Sequence, residues 1–158
     1  MEEEWRPVAN FEGYCVSNLG RVRSNQLWRG VQGKIMNLTH DGFYLQVRLS
    51  KNKKATTHRV HRLVAEAFIP NPDGKKCVDH IDRNKQNNIV SNLRWATHTD
   101  NNFNTDIRSD NISGFKGVSK SRGNRWYAFT SEGGKTIYLG SFATKEEAAE
   151  CYRLYHGE

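Results

Sequence analysis

Cysteine is scarce in this 158-residue chain, and what there is stands apart: Cys15, Cys77 and Cys151, with no Cys-x-x-Cys pair. That spacing argues against a disulfide framework and against a structural zinc. Long apolar runs are missing too, so neither a signal peptide nor a membrane span is expected, and the chain opens on Glu2-Glu3-Glu4. No heptad repeat is present, so nothing resembles a coiled-coil seam between two copies. The expectation is a soluble protein of a reducing, cytoplasmic compartment.

Acidic residues are in deficit. Lys plus Arg is 24 against 17 Asp plus Glu, a net charge of +7 and a pI near 9.5. Nucleic acid is the commonest partner of such a balance, although a basic protein can also be merely soluble. The excess is uneven: residues 1–60 hold ten basic and five acidic side chains, 61–105 six and five, 106–158 eight and seven. A nearly neutral centre suits carboxylates that gather a metal, with the flanks left to grip a polyanion. The length suits one ordinary domain or two or three small modules.

Residues 5–60 read as β-rich. Tyr14-Cys15-Val16-Ser17 leads to a turn at Asn18-Leu19-Gly20, and Arg21-Val22-Arg23 alternates charged and apolar. Tyr44 to Leu49 alternates again, placing Leu45, Val47 and Leu49 on one face and Tyr44, Gln46 and Arg48 on the other. A basic turn at Lys51-Asn52-Lys53-Lys54 precedes a strand expected through Val60.

The most telling stretch is Val78-Asp79-His80-Ile81-Asp82, with Asn92 twelve residues after His80 and Asn101 nine later. Val78 and Ile81 suit a strand, and Arg83 to Asn88 is a polar turn with no apolar residue. Leu93-Arg94-Trp95-Ala96 reads as a return strand, and Thr97 as the N-cap of a helix through about Asn104. Such a ββα hairpin brings Asp79, His80 and Asn101 to one place. An Asp-His pair alone says little, because histidine often serves as a capped or packed residue. The whole spaced set has the parts of a one-metal site that cuts phosphodiesters.

With His61-Arg62-Leu63-Val64-Ala65-Glu66-Ala67-Phe68 ahead of it, the segment from His61 to Asn104 resembles the HNH homing endonucleases of phage introns. The resemblance implies Asp79 as metal ligand, His80 as the base that activates water, Asn92 as organiser of the loop and Asn101 as second ligand. Asparagine stands at that last position where many such proteins have histidine. The chemistry accounts for the residue types. Neutral imidazole titrates near working pH and can take a proton from water. A carboxylate and an amide oxygen leave coordination positions open, which suits Mg²⁺ or Mn²⁺ better than Zn²⁺. The stretch Trp5 to Arg23 resembles the module that precedes the nuclease domain in many phage HNH endonucleases. It implies DNA contact or scaffolding, with Arg21, Arg23 and Arg48 either on DNA or on a solvated face; Arg94 is a further candidate DNA contact.

Beyond a polar joint from Thr105 to Ser113, strands are expected at Gly114 to Ser119, Arg125 to Phe129 and Ile137 to Phe142, with a tight turn at Gly133-Gly134. Thr144 and Glu147 form a capping-box pair for a helix whose Ala148, Ala149, Tyr152 and Tyr155 can cover the sheet. Gly114 to Val118, Trp126, Leu139-Gly140-Ser141-Phe142 and Glu146 to Ala149 resemble the DNA-binding domain of plant ethylene-response transcription factors. That resemblance points to Lys116, Lys120, Arg122, Arg125 and Trp126 as DNA contacts, the core being the other place for the tryptophan.

The expected fold is α+β: a β-rich module over 1–60, an HNH nuclease over 61–105, a linker over 106–113, and a three-stranded antiparallel sheet plus one helix over 114–158. The resemblances imply a site-recognising double-stranded DNA endonuclease, a monomer using one divalent metal, in a phage-infected cell. A DNA-binding regulator that keeps the scaffold without cutting is the alternative, and a nuclease of RNA or junctions a third.

Overall fold

The structure is a computed structural model that describes residues 2–25 and 33–157, the side chains of 102 and 103 excepted. It divides into two compact units, Met1–Asn104 and Thr105–Glu158, in an α+β arrangement of small antiparallel sheets and short helices.

In the first unit, β1 (Trp5–Pro7), β2 (Tyr14–Ser17), β3 (Val22–Ser24) and β4 (Lys34–Ile35) pair in that order. A second sheet follows, of β5 (Thr39–His40), β6 (Leu45–Lys51) and β7 (Lys54–Arg59). Next come α1 (Val60–Phe68), the hairpin of β8 (Cys77–His80) and β9 (Leu93–Ala96), and α2 (His98–Phe103). Alternation along β6 works as the sequence predicts: Val47 and Leu49 are fully buried and Arg48 between them is exposed. Helix α1 buries Val60, Leu63 and Val64, the i, i+3, i+4 stripe of an amphipathic helix. It starts at Val60, where a strand was expected to end. It stops at Ile69, which precedes Pro70 and takes the extended backbone that a following proline imposes.

The core of this unit runs across residue 60. Val16, Val22, Val47 and Leu49 from the two sheets pack with Val60, Leu63 and Val64 of α1 and with Val78 and Leu93 of the hairpin. The regions 1–60 and 61–105, expected as successive modules, therefore bury their apolar faces against each other. Neither small sheet has enough apolar area to stand alone.

The second unit holds β10 (Val118–Lys120), β11 (Trp126–Glu132) and β12 (Lys135–Phe142), with α3 (Lys145–His156) on one face. Gly133 and Gly134 take φ of 55° and 78°, the two left-handed positions of a tight hairpin turn. The capping box forms: Thr144 Oγ1 accepts from the Glu147 N–H, and the Glu147 carboxylate accepts from the Thr144 N–H. Ala148, Ala149 and Tyr152 are buried, but Tyr155 is exposed and donates to Glu132 instead. The first strand begins at Val118, four residues later than expected. Gly114 and Gly117 both have positive φ, and the buried Ser113 hydroxyl holds this bend through Asn111, Phe115 and Val118.

Gly117 generates a prediction. It sits at φ 65°, and a Cβ there would strike the Tyr152 ring and lie 2.6 Å from the Phe129 carbonyl oxygen. Gly117→Ala should destabilise the second unit by roughly 2–3 kcal/mol. Amide hydrogen exchange will show it as faster exchange in β11 while β6 is unchanged; equal protection in β11 refutes the packing argument.

Candidate active site

The β8–β9 hairpin sets Asp79 opposite Arg94 and His80 opposite Leu93. The loop between the strands is polar, and asparagine closes it. The Asn92 side chain accepts from the Asp82 N–H at 2.9 Å and donates to Asp82 Oδ1 and the Asn87 carbonyl, each at 2.8 Å. Asn87 donates to the other Asp82 oxygen at 2.6 Å, and the Asn84 N–H to the first at 2.8 Å. These donors, Asn87 foremost, hold the Asp82 carboxyl below its ordinary range. With both ends of its amide engaged, Asn92 staples the loop, the geometry that its expected organising part requires.

Asp79 is 4% exposed. Arg94 meets its Oδ2 with Nε at 2.9 Å and Nη2 at 2.8 Å. From the end of α2, Asn104 Nδ2 lies 3.0 and 3.1 Å from the two carboxylate oxygens and 2.6 Å from the His80 carbonyl. Helix α2 is capped at Thr97, whose hydroxyl accepts from the Asp100 N–H at 3.1 Å while Asp100 Oδ2 accepts from the Thr97 N–H at 2.9 Å. Asn101 is half-buried and, three residues before Asn104, lies on the same helix face, but its side chain makes no hydrogen bond among the described residues.

His80 is 5% exposed, and its Nε2 is 3.0 Å from Asn88 Oδ1. The His61 ring from α1 stands edge-on to it, centroids 5.1 Å apart and planes at 73°. Tyr44, 4.8 Å from His61 and 6.1 Å from His80, completes an aromatic wall, with Arg59 over its ring at 4.5 Å and Lys85 at 5.4 Å. Burial drives the His61 imidazole down to about 3, and the neighbouring His80 and Arg59 add to the shift.

Asn88, Asn104 and Tyr44 are not among the site residues expected from the sequence, and His61 enters there only at the head of the segment before the Asp-His pair. His61 had a signal: a polar residue between Val60 and the apolar Leu63-Val64 pair. Asn88 had none, sitting in a wholly polar run.

No group of three or more His, Cys, Asp or Glu side chains converges among the described residues. The donors at Asp79 fit a hard divalent cation nonetheless. The buried Asp79 carboxylate and the His80 main-chain carbonyl are oxygen ligands, and the Arg94 guanidinium and Asn104 NH₂ that donate to them stand where a cation would bind.

The expected DNA contacts have varied surroundings. Arg21 pairs with Glu3, Arg94 with Asp79, and Arg23 lies 4.5 Å from the Trp5 ring. Arg48 is exposed on β6. In the second unit Lys116 donates to the Thr105 carbonyl, Arg122 is exposed, and Arg125 holds Ser141 at 2.6 and 2.7 Å. Lys120 lies 5.7 Å from the Trp126 ring. Trp126 packs against the buried cluster of Val118, Ala128, Ala148 and Ala149, its alternative place. The aromatic residues away from that cluster are Tyr127 and Tyr138, in edge contact at 5.7 Å, and the exposed Phe129.

His61 carries a pH prediction. Its folded pKa of about 3 lies below the ordinary 6.5, so the unfolded chain binds the extra proton between those values. Its support for the first unit is complete above pH 6.5 and falls as the pH drops toward 3, on the order of 1 kcal/mol per pH unit. His61→Phe should flatten the acid-side fall of the melting temperature; an unchanged fall assigns the effect to another group.

The family model described as HNH endonuclease matches residues 58–103, and the NUMOD4 motif matches residues 3–50. An HNH endonuclease of Acanthamoeba polyphaga mimivirus is 38% identical over 101 residues, 64% of this chain and 29% of that protein. DNA endonuclease I-HmuI of Bacillus phage SP01 is 37% identical over 119 residues, 74% of this chain and 66% of that protein. A solved structure described as DNA binding and cleavage by the HNH homing endonuclease I-HmuI superposes with a TM-score of 0.55 at 39% identity, covering 64% of this chain and 56% of that one. The chain thus spans between about a quarter and two thirds of these relatives. It belongs to the HNH endonucleases, with a NUMOD4 motif ahead of its nuclease region.

Proposed function

We propose that this chain is a site-recognising endonuclease of the homing type that hydrolyses one phosphodiester of double-stranded DNA, as a monomer, with one divalent cation. The observation that carries the reading is the hairpin itself: Asp79 and His80 are buried side by side, with Asn92 stapling the loop between their strands and α2 laid against Asp79. The homology to I-HmuI, named as a DNA endonuclease, supports it.

In this reading His80 is the general base and takes the proton of the attacking water. Asp79 and Asn101 would hold Mg²⁺, for which Mn²⁺ can substitute. When bound, the cation stabilises charge on the attacked phosphate and the departing oxygen. Asn104 orients Asp79 and the His80 carbonyl, and Asn92 keeps the loop closed. Arg94 places a guanidinium beside Asp79, where a phosphate also approaches. Arg21, Arg23 and Arg48 supply grip from the first unit. In the second unit, read as akin to the ethylene-response DNA-binding domain, Lys116, Lys120, Arg122 and Arg125 contact phosphates or bases. Trp126 supports that sheet from behind, and Tyr127, Phe129 and Tyr138 form its contact face.

Two experiments test the reading. On supercoiled plasmid with Mg²⁺, open circle should appear first and persist, and His80→Ala should slow nicking by roughly 10²- to 10⁴-fold with DNA binding kept. Near-normal cutting by that variant removes His80 as base, and linear product formed directly, at a rate rising with the square of enzyme concentration, removes the monomer.

The second compares the two asparagines of α2. Asn101→Ala should raise the Mg²⁺ needed for half-maximal rate by about tenfold or more, while Asn104→Ala lowers the rate with little change in Mg²⁺ requirement. The reverse result makes Asn104 the ligand.

A further inference from the structure

Asn88 belongs to the polar loop between β8 and β9, yet it is only 3% exposed. Two contacts account for its burial. Its Oδ1 lies 3.0 Å from His80 Nε2. On its other side is Gly20, so close that a Cβ there would sit 2.9 Å from the Asn88 Cβ and 3.1 Å from the Asn88 carbonyl oxygen. The following residues are tied to the same place, because the Val90 N–H donates to the Asn18 carbonyl at 2.8 Å.

That partner is a rigid turn. Gly20 holds φ of 80°, its N–H donates to the Ser17 carbonyl at 3.0 Å, and the Ser17 N–H donates to the Arg21 carbonyl at 2.8 Å. The Asn18 side chain accepts from the Glu4 N–H and donates to the Glu2 carbonyl, both at 3.0 Å, fastening the turn to the residues just ahead of β1. The β2–β3 turn of the N-terminal module is thus the seat of the loop that carries Asn88.

A neutral imidazole has one proton for two nitrogens, and only the nitrogen without it can accept another from water. His80 Nε2 faces a buried amide, so the ring nitrogen left for water is Nδ1. It has a free lone pair only if Nε2 carries the proton. An amide oxygen at Nε2 selects that tautomer; an amide NH₂ there would select the opposite and leave no base. The Asn88 Nδ2 is buried without a partner, an arrangement that wants an explanation in a loop where a solvated side chain is the easy alternative. A side chain held inward for the sake of His80 provides one.

We propose that Asn88 is a positioning residue that keeps His80 in the Nε2–H tautomer, and that the β2–β3 turn, through Gly20 and Asn18, keeps Asn88 in place. The assignment rests on His80 being the general base. It makes the N-terminal module a structural member of the reaction centre as well as a DNA grip.

The test uses the whole chain, with Asn88→Asp, which keeps an acceptor, and Asn88→Leu, which has none. In the metal-free protein with the His80 ring neutral, ring ¹⁵N shifts should show protonated Nε2 and bare Nδ1 in the parent and in Asn88→Asp, and a mixture in Asn88→Leu. In plasmid nicking, Asn88→Leu should lose about 10- to 100-fold in kcat at unchanged KM, with Asn88→Asp within about threefold of the parent. Gly20→Ala should lower kcat likewise, and adding it to Asn88→Leu should cost nothing further. Protonated Nδ1 in the parent, or Asn88→Asp as slow as Asn88→Leu, overturns the assignment; additive losses overturn the role of the turn. Normal cutting by His80→Ala would instead remove the general-base reading beneath it, an outcome the ¹⁵N shifts keep separate.

Discussion

Two polar neighbours, Asp79 and His80, are both buried on one short strand, and the rest of the first unit is arranged around that demand. Successive side chains of a strand leave opposite faces. A single covering layer therefore cannot bury both. Asp79 is met by Arg94 across the hairpin and by Asn104 from α2, while His80 is met by Asn88, His61 and Tyr44. Each group has been given partners suited to it. A carboxylate out of water needs donors and positive charge, and it has a guanidinium and an amide. An imidazole needs a partner for its ring N–H and apolar or aromatic walls elsewhere.

The second of those coverings explains why the β-rich N-terminal region cannot be a detachable appendage. His61 begins α1, Tyr44 precedes β6, and Gly20 and Asn18 form the turn under the β8–β9 loop. Val16, Val22, Val47 and Leu49 share one apolar cluster with Val64, Val78 and Leu93. Loss of the N-terminal sheets would expose that cluster and remove the seat of Asn88 together. The same contacts hold the core and the candidate site, so the NUMOD4 motif and the HNH region share one core here.

What was legible in the sequence is what local rules decide. The return strand Leu93–Ala96, the Thr97 cap, the Thr144–Glu147 capping box and the Gly133-Gly134 turn all follow from side chains acting on backbone within a few residues. Asp79, His80 and Asn92 were legible because their spacing is itself a local property of a ββα hairpin. Asn88 was not, because its burial depends on Gly20, far away in the chain. Asn104 was not, because residues three apart on a helix share a face and spacing cannot choose between it and Asn101. The late start of β10 reflects Gly114 and Gly117, both at positive φ; at Gly117 the Tyr152 ring and the Phe129 carbonyl leave no room for a side chain, and neither is local. Trp126 went to the core because β11 alternation puts it with Ala128 rather than with Tyr127.

The second unit repeats this economy in electrostatic form. Lys116, Lys120, Arg122 and Arg125 precede the hairpin turn and Lys135 follows it, and Glu132 is the one acid over residues 114–142. The compensating acids, Glu146, Glu147 and Glu150, are on α3. Their place is set by helix physics first: Glu147 closes the capping box, and negative charge in a first turn suits the helix dipole. The same choice keeps carboxylates off the sheet, whose free face carries Tyr127, Phe129 and Tyr138. A unit that is nearly neutral by count thereby presents a basic, aromatic sheet, while α3, whose Lys145 and Arg153 offset two of its three glutamates, is close to neutral. For recognising a polyanion that placement matters more than the net charge, because attraction is set by the charges within about a Debye length of the contact.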